Sequence, residues 1–278
     1  AIGVHTAWID EADTAKRSLE KALEIALESY GREHPRTALI ISELGFAHKW
    51  AGEYARAESL YLEADAIRRP ILGDRDPETL SWDSRLGWLK LDLGEYREAE
   101  RILRGAWVAL HEVLGPEHET TVGSMENLAL SLVWLERYAE ADAMYRNLFE
   151  LYAGISEDGE PPPNVIHCYA ILRSKWGDAV TADGLYRRAI AAYEKEYGPD
   201  HPRVGETMLD RVAVLRQLGR YDEAIAVCEE VKARWPDDQQ NRALVPVWLA
   251  AVYGDRGDLR EQLRYGREAL SAQEALAG

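Results

Sequence analysis

Side chains that could bind a metal ion or carry out acid–base catalysis occur in this 278-residue sequence only as incomplete sets. His111 starts an HExxH-like motif for zinc, but the second histidine is missing. His167 lies beside Cys168 without further ligands at the spacing that a zinc site needs. The pair Glu229-Glu230 could act as general acid and base, yet such pairs are common on acidic helix faces. These residues therefore indicate neither a metal site nor a catalytic site.

Composition and missing motifs exclude several further function classes. The sequence has no GxxxxGK[ST] phosphate loop, no GxGxxG dinucleotide motif and no GxSxG nucleophile elbow. Asp and Glu outnumber Lys and Arg by 49 to 33, and the net charge of −16 would repel a nucleic acid backbone. No apolar run approaches the roughly 20 residues that span a bilayer. We therefore expect a non-enzymatic protein that has no cofactor, no metal, no nucleic acid partner and no membrane segment.

The cysteines and the N-terminal sequence give information about the cellular compartment of the protein. Cys168 and Cys228 are far apart and belong to no CxxC motif, so neither a disulfide framework nor a zinc site is indicated. No basic segment precedes an apolar run at the N-terminus, and a cytoplasmic location is expected. The chain begins with Ala1 rather than Met, which favours a processed chain or a piece of a longer one.

A turn motif organises the chain at a period close to 42 residues. Its first copy runs from Gly31 to Thr37, and related copies begin at Gly73, Gly115 and Gly198. A second turn motif, with the first copy Gly-Glu-Tyr-Ala-Arg-Ala, keeps the same phase and begins at Gly52, Gly94, Glu136 and Gly219. Two turns in each period divide it into two segments.

Between the turns, apolar and small side chains follow the spacing of an amphipathic α-helix, as at Ala57, Leu60, Tyr61, Ala64 and Ile67. Proline follows a polar residue at three predicted helix starts, and glycine follows the preceding helices. No segment shows the alternation that is typical of a β-strand. The sequence predicts an all-α chain in which each period is a helical hairpin, with helix caps at His34, His118 and His201.

A pattern of small and bulky residues runs through the hairpins, and in the first it comprises Leu44-Gly45, Gly52, Tyr54, Ala57, Tyr61 and Ala64. In this pattern the chain resembles the tetratricopeptide repeat (TPR), in the 42-residue variety of kinesin light chain and many bacterial signalling proteins. The resemblance implies a right-handed superhelical α-solenoid of about six TPR units plus a partial N-terminal unit. We expect one domain over 1–278, with units 1–30 (partial), 31–72, 73–114, 115–156, 157–197, 198–238 and 239–278.

Three places depart from the regular pattern. A proline-rich segment at 156–163 replaces the usual turn, and a domain boundary there is the alternative to one continuous stack. Arg211 falls where the repeat has a core leucine, and we expect the helix to rotate so that no charge is buried. The apolar side of the partial unit, which includes Leu19, Leu23 and Ile25, is expected to be covered by upstream chain or by a second copy. Association of two copies through terminal units is therefore a further expectation.

The resemblance also implies where a partner binds. In this family the first helix of each unit lines a concave groove that receives a peptide. Carried over unit by unit, the predicted partner-binding residues are Glu43, Phe46, Lys49, Trp50, Arg85, Trp88, Glu126, Asn127, Leu130, Trp134, His167, Ile171 and Trp248. Trp50 and Trp134 share one slot of the repeat, and large flat side chains bind apolar anchors well. The alternative is that these indoles pack under the neighbouring unit.

The charges and amides of this groove give less information about the partner. Kinesin light chain-like repeats place paired asparagines in the first helix, but here only Asn127 stands in that place, so a kinesin-type cargo is not implied. Groove acids and bases are mixed, and a basic partner does not follow from net charge alone.

We therefore predict a protein–protein interaction module that binds a peptide or protein segment in its groove. Two alternatives stay open. The chain is a sensor or regulatory repeat domain of a larger bacterial signalling ATPase or transcriptional regulator, or it is a receptor for a peptide or small molecule. The last alternative requires a closed pocket near Trp88, Asn127 and Trp134.

Overall fold

The computed structural model describes residues 2–236 and 239–277, and it confirms that this part of the chain is all-α. It contains thirteen helices, and helices α2 to α13 pair into six hairpins with the predicted turns between them. Their bounds are α1 Ile2–Tyr30, α2 Pro35–Trp50, α3 Tyr54–Leu72, α4 Pro77–Asp92, α5 Tyr96–Leu114, α6 Glu119–Trp134, α7 Tyr138–Ile155, α8 Pro163–Lys175, α9 Ala179–Tyr197, α10 Pro202–Gln217, α11 Tyr221–Arg234, α12 Gln239–Arg256 and α13 Leu259–Ala277.

Local turn chemistry sets the helix ends. Proline occupies the first position of α2, α4 and α10, where its missing N–H costs no hydrogen bond. The histidine before three first helices caps them as predicted, because its Nδ1 accepts from the backbone N–H two residues later, at His34, His118 and His201. The glycine after the preceding helix has φ between 80° and 92°, a conformation that favours glycine, at Gly31, Gly73, Gly115 and Gly198.

Small residues let the helices of each hairpin cross closely. The repeated alanines of the second helices are fully buried, at Ala57, Ala99, Ala141 and Ala182. Gly87 in α4 lies so close to α5 that an added Cβ would be 2.5 Å from Cγ of Leu103. First helices of successive hairpins also contact each other, in the pairs α4 with α6, α8 with α10, and α10 with α12.

The helices group into two compact units that meet in sequence at the proline-rich segment. One comprises residues 6–160, and the other comprises 161–278 together with 1–5. The first has buried clusters around Ile41, Leu44 and Leu60, while the second has its own cluster around Val212 and Leu249. The single solenoid over 1–278 stays a prediction, and the division coincides with the alternative boundary at 156–163.

The partial N-terminal unit is covered differently from the prediction. Leu19 and Leu23 of α1 pack against the cluster formed by α2 and α3, so the chain itself covers most of this apolar side. Ile25 points outward and is exposed. The expectation that upstream chain or a second copy covers Leu19 and Leu23 was therefore wrong, and association through terminal units stays a prediction.

Arg211 also corrects the sequence interpretation. Its side chain is largely buried, and Nε lies 2.5 Å from Oδ1 of Asp183, which is itself buried. Arg220 binds the other oxygen of Asp183 at 2.6 Å. Burial of this carboxylate disfavours its charge, but the hydrogen bonds from Arg211 and Arg220 outweigh burial and lower the pKa of Asp183. The repeat thus accommodates a charge at a leucine slot by pairing it, and not by rotating it to solvent.

Candidate functional site

The predicted groove positions of residues 6–160 lie on three successive first helices, α2, α4 and α6. We call this surface the first-helix wall, and its members are Glu43, Phe46, Lys49, Trp50, Arg85, Trp88, Asp92, Glu126, Asn127, Leu130 and Trp134. Their side chains share a face because the groove slots recur with the hairpin period and follow the helical spacing within each helix. Ten of the thirteen residues predicted to bind a partner are on this wall.

Aromatic rings of α2 and α4 form a cluster at the first end of the wall. The centroid of Trp50 lies 5.9 Å from that of Phe46 and 5.9 Å from that of Trp88, and the third pair is 6.1 Å apart. Trp50 meets both neighbours at steep interplanar angles of 82° and 83°, so neither ring is stacked flat against it. Its side chain remains 51% exposed, which excludes the alternative that this indole packs under the neighbouring unit.

A buried lysine contacts this aromatic cluster and pairs with a carboxylate. Nζ of Lys49 lies 3.4 Å from the centroid of the Trp88 ring and 2.6 Å from Oδ2 of Asp92. A cation over an indole face and beside a carboxylate is stabilised by both, which compensates for its loss of water. Lys49 therefore ties α2 to α4, and we remove it from the residues that would touch a ligand.

A second ion pair joins the same two helices. Nη1 of Arg85 lies 2.8 Å from Oε1 of Glu43, and the guanidinium lies over the Phe46 ring at 5.3 Å from its centroid. Glu43 and Arg85 occupy equivalent slots of adjacent hairpins, so the repeat places opposite charges side by side. The polar residues at this end of the wall are thus held in place before any partner arrives.

The far end of the wall lies on α6. Trp134 is stacked on Tyr96 with centroids 5.5 Å apart and an interplanar angle of 11°, and it is 39% exposed. The hydroxyl of Tyr152 donates to Oε1 of Glu126 at 2.5 Å, and burial together with the Glu126 charge raises the pKa of Tyr152. Asn127 and Leu130 are half-buried. Sequence analysis missed Tyr96, although a tyrosine begins α3, α5 and α7 alike.

The three remaining predicted residues belong to the second compact unit, residues 161–278. His167 is buried, with Nε2 2.8 Å from Oδ2 of Asp210 and its ring beside Tyr186. Its position indicates a helix-to-helix contact between α8 and α10, and we remove it from the ligand-facing set as well. Ile171 and Trp248 are half-buried.

In the second compact unit, Trp248 contacts a cation that is paired with a carboxylate, as Trp88 does in the first-helix wall. The Arg216 guanidinium lies over its ring at 5.8 Å from the centroid, and Nε of Arg216 pairs with Oδ2 of Asp255 at 2.7 Å. Arg216 and Asp255 occupy the same repeat slots as Lys49 and Asp92. Cations at this slot therefore bind an acid on the next first helix in both compact units.

Other surface features of the described residues give weaker evidence for a binding site. An open depression of about 530 Å³ lies along α5, where Arg75, Arg101, Arg104 and Val108 are among its lining residues. Trp88, Asn127 and Trp134 do not line it. Over the described residues, no three His, Cys, Asp or Glu side chains are placed to hold a metal ion, and no helix is apolar enough over a sufficient length to cross a membrane.

Sequence comparison matches the chain to the tetratricopeptide repeat. One profile with that description matches residues 37–106 and 163–237, and a second profile matches residues 121–154. Together the matches fall in five of the six hairpins. No curated protein matches the chain in a sequence search.

Solved structures with the same architecture include proteins of the kinesin light chain type. BtubC (BKLC) from P. vanneervenii is 24% identical, with a TM-score of 0.61, covering 82% of this chain and 91% of that one. The putative kinesin light chain TPR-like repeats of Podosopora anserina are 21% identical, with a TM-score of 0.58, covering 73% and 96%. A Rap protein complexed with Competence and Sporulation Factor is 12% identical, with a TM-score of 0.63, covering 98% and 97%. At these identities the likeness concerns the fold.

Proposed function

Because the chain belongs to the tetratricopeptide repeat family, we propose that it is a protein-interaction scaffold whose first-helix wall binds a segment of another protein. The observation that carries this proposal is the exposure of Trp50 and Trp134 on a wall whose charged side chains are already paired. An exposed indole on a fixed support can bury a large area on binding at little cost in side-chain entropy.

Two features of the wall suit a peptide better than a small molecule. The exposed indoles lie on α2 and α6, with α4 between them, so a ligand that covers both is at least two hairpin spacings long. Ion pairs between α2 and α4 fix the residues beside Trp50, and Trp134 is stacked on Tyr96, which preorganises the surface. A Rap protein of the same fold was solved in complex with the Phr* peptide, and that structure supports a peptide ligand for this chain. A peptide-receptor role is thus the second candidate, while a signalling role stays a prediction.

Selection of a displayed random-peptide library on the full chain tests the proposal. Peptides that are retained by the wild-type chain should lose affinity for a Trp50→Ala/Trp134→Ala variant by about 2 kcal/mol or more, because each truncation removes a central aromatic contact. Calorimetry on the purified chain measures the change. Both indoles are half-exposed, so helix content measured by circular dichroism should not change.

Trp176→Ala provides the matched control. Trp176 is also well exposed but lies outside the wall, and its truncation should leave the affinity of the selected peptides unchanged. Equal losses in the control and in the double variant, or no loss in either, would remove the first-helix wall as the binding surface.

A further inference from the structure

Three lysine ion pairs of this compact unit have a common orientation, with the cation less exposed than the carboxylate. The side chains of Lys16, Lys49 and Lys90 are 15%, 4% and 12% exposed. Their partners Glu53, Asp92 and Glu95 are 45%, 30% and 49% exposed. A ligand approaching this edge therefore meets carboxylate oxygens before it meets any of these ammonium groups.

These acids lie at one edge of the wall. Asp92 ends α4, and Glu53 and Glu95 lie in the turns that follow α2 and α4. Glu136, in the turn after α6, is exposed and joins them. We call Glu53, Asp92, Glu95 and Glu136 the carboxylate rim. Hydrogen bonds from Lys16 and His48 lower the pKa of Glu53 below its ordinary value, which keeps this rim member charged.

Three exposed arginines lie close in sequence to these acids, and they are Arg56, Arg97 and Arg137. Arg137 follows Glu136, and its guanidinium binds the carboxylates of Glu100 and Glu140. Lys49 and Lys90 are less exposed than Asp92 and Glu95, so a ligand at these two positions meets the carboxylates first. At Lys49 and Asp92 the mixed sign of the groove thus resolves into a buried ammonium group and an outer carboxylate, whereas Arg137 is an exposed base.

The repeat slot that contains Trp50 and Trp134 contains Asp92 on the helix between them. Successive first helices pack about 8–10 Å apart. A peptide in the polyproline II conformation advances about 3.1 Å per residue with three residues per turn, so every third side chain lies on the same face. Three consecutive slots therefore match ligand side chains about three residues apart. The order of the slots is an exposed indole, an exposed carboxylate and an exposed indole.

We propose that this edge of the first-helix wall binds a segment in the polyproline II conformation, in which a Lys or Arg side chain is flanked by apolar side chains about three residues away on each side. The apolar side chains pack on Trp50 and Trp134. The basic side chain reaches Asp92 and the neighbouring rim carboxylates, and its aliphatic stem lies along the indoles. This inference rests on the proposed function and specifies the partner's chemistry.

The library selection described above separates the two proposals by its outcome. Enriched peptides with a basic residue about three positions from apolar residues, lost on Trp50→Ala/Trp134→Ala, support both. Enriched peptides that depend on the indoles but have an acidic or neutral residue at the central position overturn the present inference and leave the proposed function standing. A selection without peptides that depend on the indoles overturns both.

A charge variant that preserves the supporting pairs tests the rim directly. In Glu53→Gln/Glu95→Gln, Lys16 keeps Asp13 and Lys90 keeps Glu58, so neither lysine is left without a carboxylate. An enriched basic peptide should bind this variant at least fivefold more weakly at low salt, and added salt should reduce the difference. Glu112→Gln, the same change at the far end of α5, should bind like wild type. Equal affinity in the rim variant would overturn the inference.

Discussion

At the scale of single residues, the turn that follows α6 contains a strained backbone. Glu136 has φ of 59°, whereas the equivalent turns have glycine at Gly52, Gly94 and Gly219. A left-handed conformation costs a residue with a side chain about 1–2 kcal/mol, and glycine adopts it without that penalty. Glu136 is also a member of the carboxylate rim, so its charge gives a reason for a costly residue at this position.

Glu136→Gly should raise the free energy of unfolding by about 1 kcal/mol, since it removes this backbone strain. Urea denaturation monitored by circular dichroism measures the change. Glu136→Gln, which removes the charge but keeps the side chain, should show no such gain. The reverse change, Gly52→Ala, should cost about as much as Glu136→Gly gains, although nothing lies within 4 Å of the added Cβ. A Gly52→Ala variant with the same free energy of unfolding as wild type would contradict the strain argument.

The histidine that caps α10, His201, makes the free energy of unfolding depend on pH. Nδ1 of His201 accepts from the N–H of Arg203, which requires the neutral ring. Burial, and then the nearby Arg203 charge, lower the pKa of His201 below its ordinary value of about 6.5. A lowered folded-state pKa means that the stabilisation is complete above the unfolded-state pKa. It is lost as the pH falls through the folded-state value.

His201→Asp should therefore be more stable than wild type at pH 5, by about 1 kcal/mol, and similar to it at pH 8. Aspartate accepts the same hydrogen bond at both pH values, as Asp76 does at the start of α4 with a distance of 2.9 Å. Thermal unfolding at the two pH values measures the difference, and His201→Asn serves as an uncharged cap that does not titrate. A constant difference between His201→Asp and wild type would show that His201 is not the titrating cap.

At the scale of helices, close crossing within each hairpin depends on a few residues without a side chain. Gly87 faces Leu103 across the α4–α5 crossing, where there is no room for a methyl group. Gly105 lies in α5, two residues from Leu103, but nothing lies within 4 Å of an added Cβ there. The two glycines thus differ in packing and not in backbone conformation.

Gly87→Ala should destabilise the chain by about 1–3 kcal/mol through overpacking against Leu103. Gly105→Ala should instead be neutral or stabilising by up to about 1 kcal/mol, because alanine favours the helix. Denaturation midpoints of the two variants check this difference in sign. If both variants gained stability, α4 and α5 would have to separate more easily than their packing indicates.

At the scale of the whole molecule, two compact units with their own buried clusters should respond separately to a local defect. Gly87→Ala should increase amide hydrogen exchange of α4 and α5 about fivefold or more, since 1 kcal/mol corresponds to a factor of about five. Exchange in α10 and α11 should change less than twofold. Hydrogen exchange with mass spectrometry measures both. A comparable increase through α11 would instead favour the single continuous array that the sequence predicts.

The sequence by itself determined the helices, the hairpins and the turns between them. Signals such as the cap at His34, the proline at Pro35 and the left-handed Gly31 act over a few residues, and the repeated pattern supplies the same signals in almost every unit. The shared slot of Trp50 and Trp134 follows from the same register, and the resemblance to the tetratricopeptide repeat implied that this slot faces the groove.

Tertiary structure decided which of those side chains are accessible. Lys49 and His167 occupy groove slots but are buried, because acids on the next first helix and adjacent aromatic rings hold them. Arg211 is retained in the interior because Asp183, on the preceding helix, pairs with it. These pairs join residues from different helices, and their formation depends on side-chain conformations and helix separations that short-range patterns do not encode. The orientation of each pair, with acid or base toward solvent, is likewise set by packing.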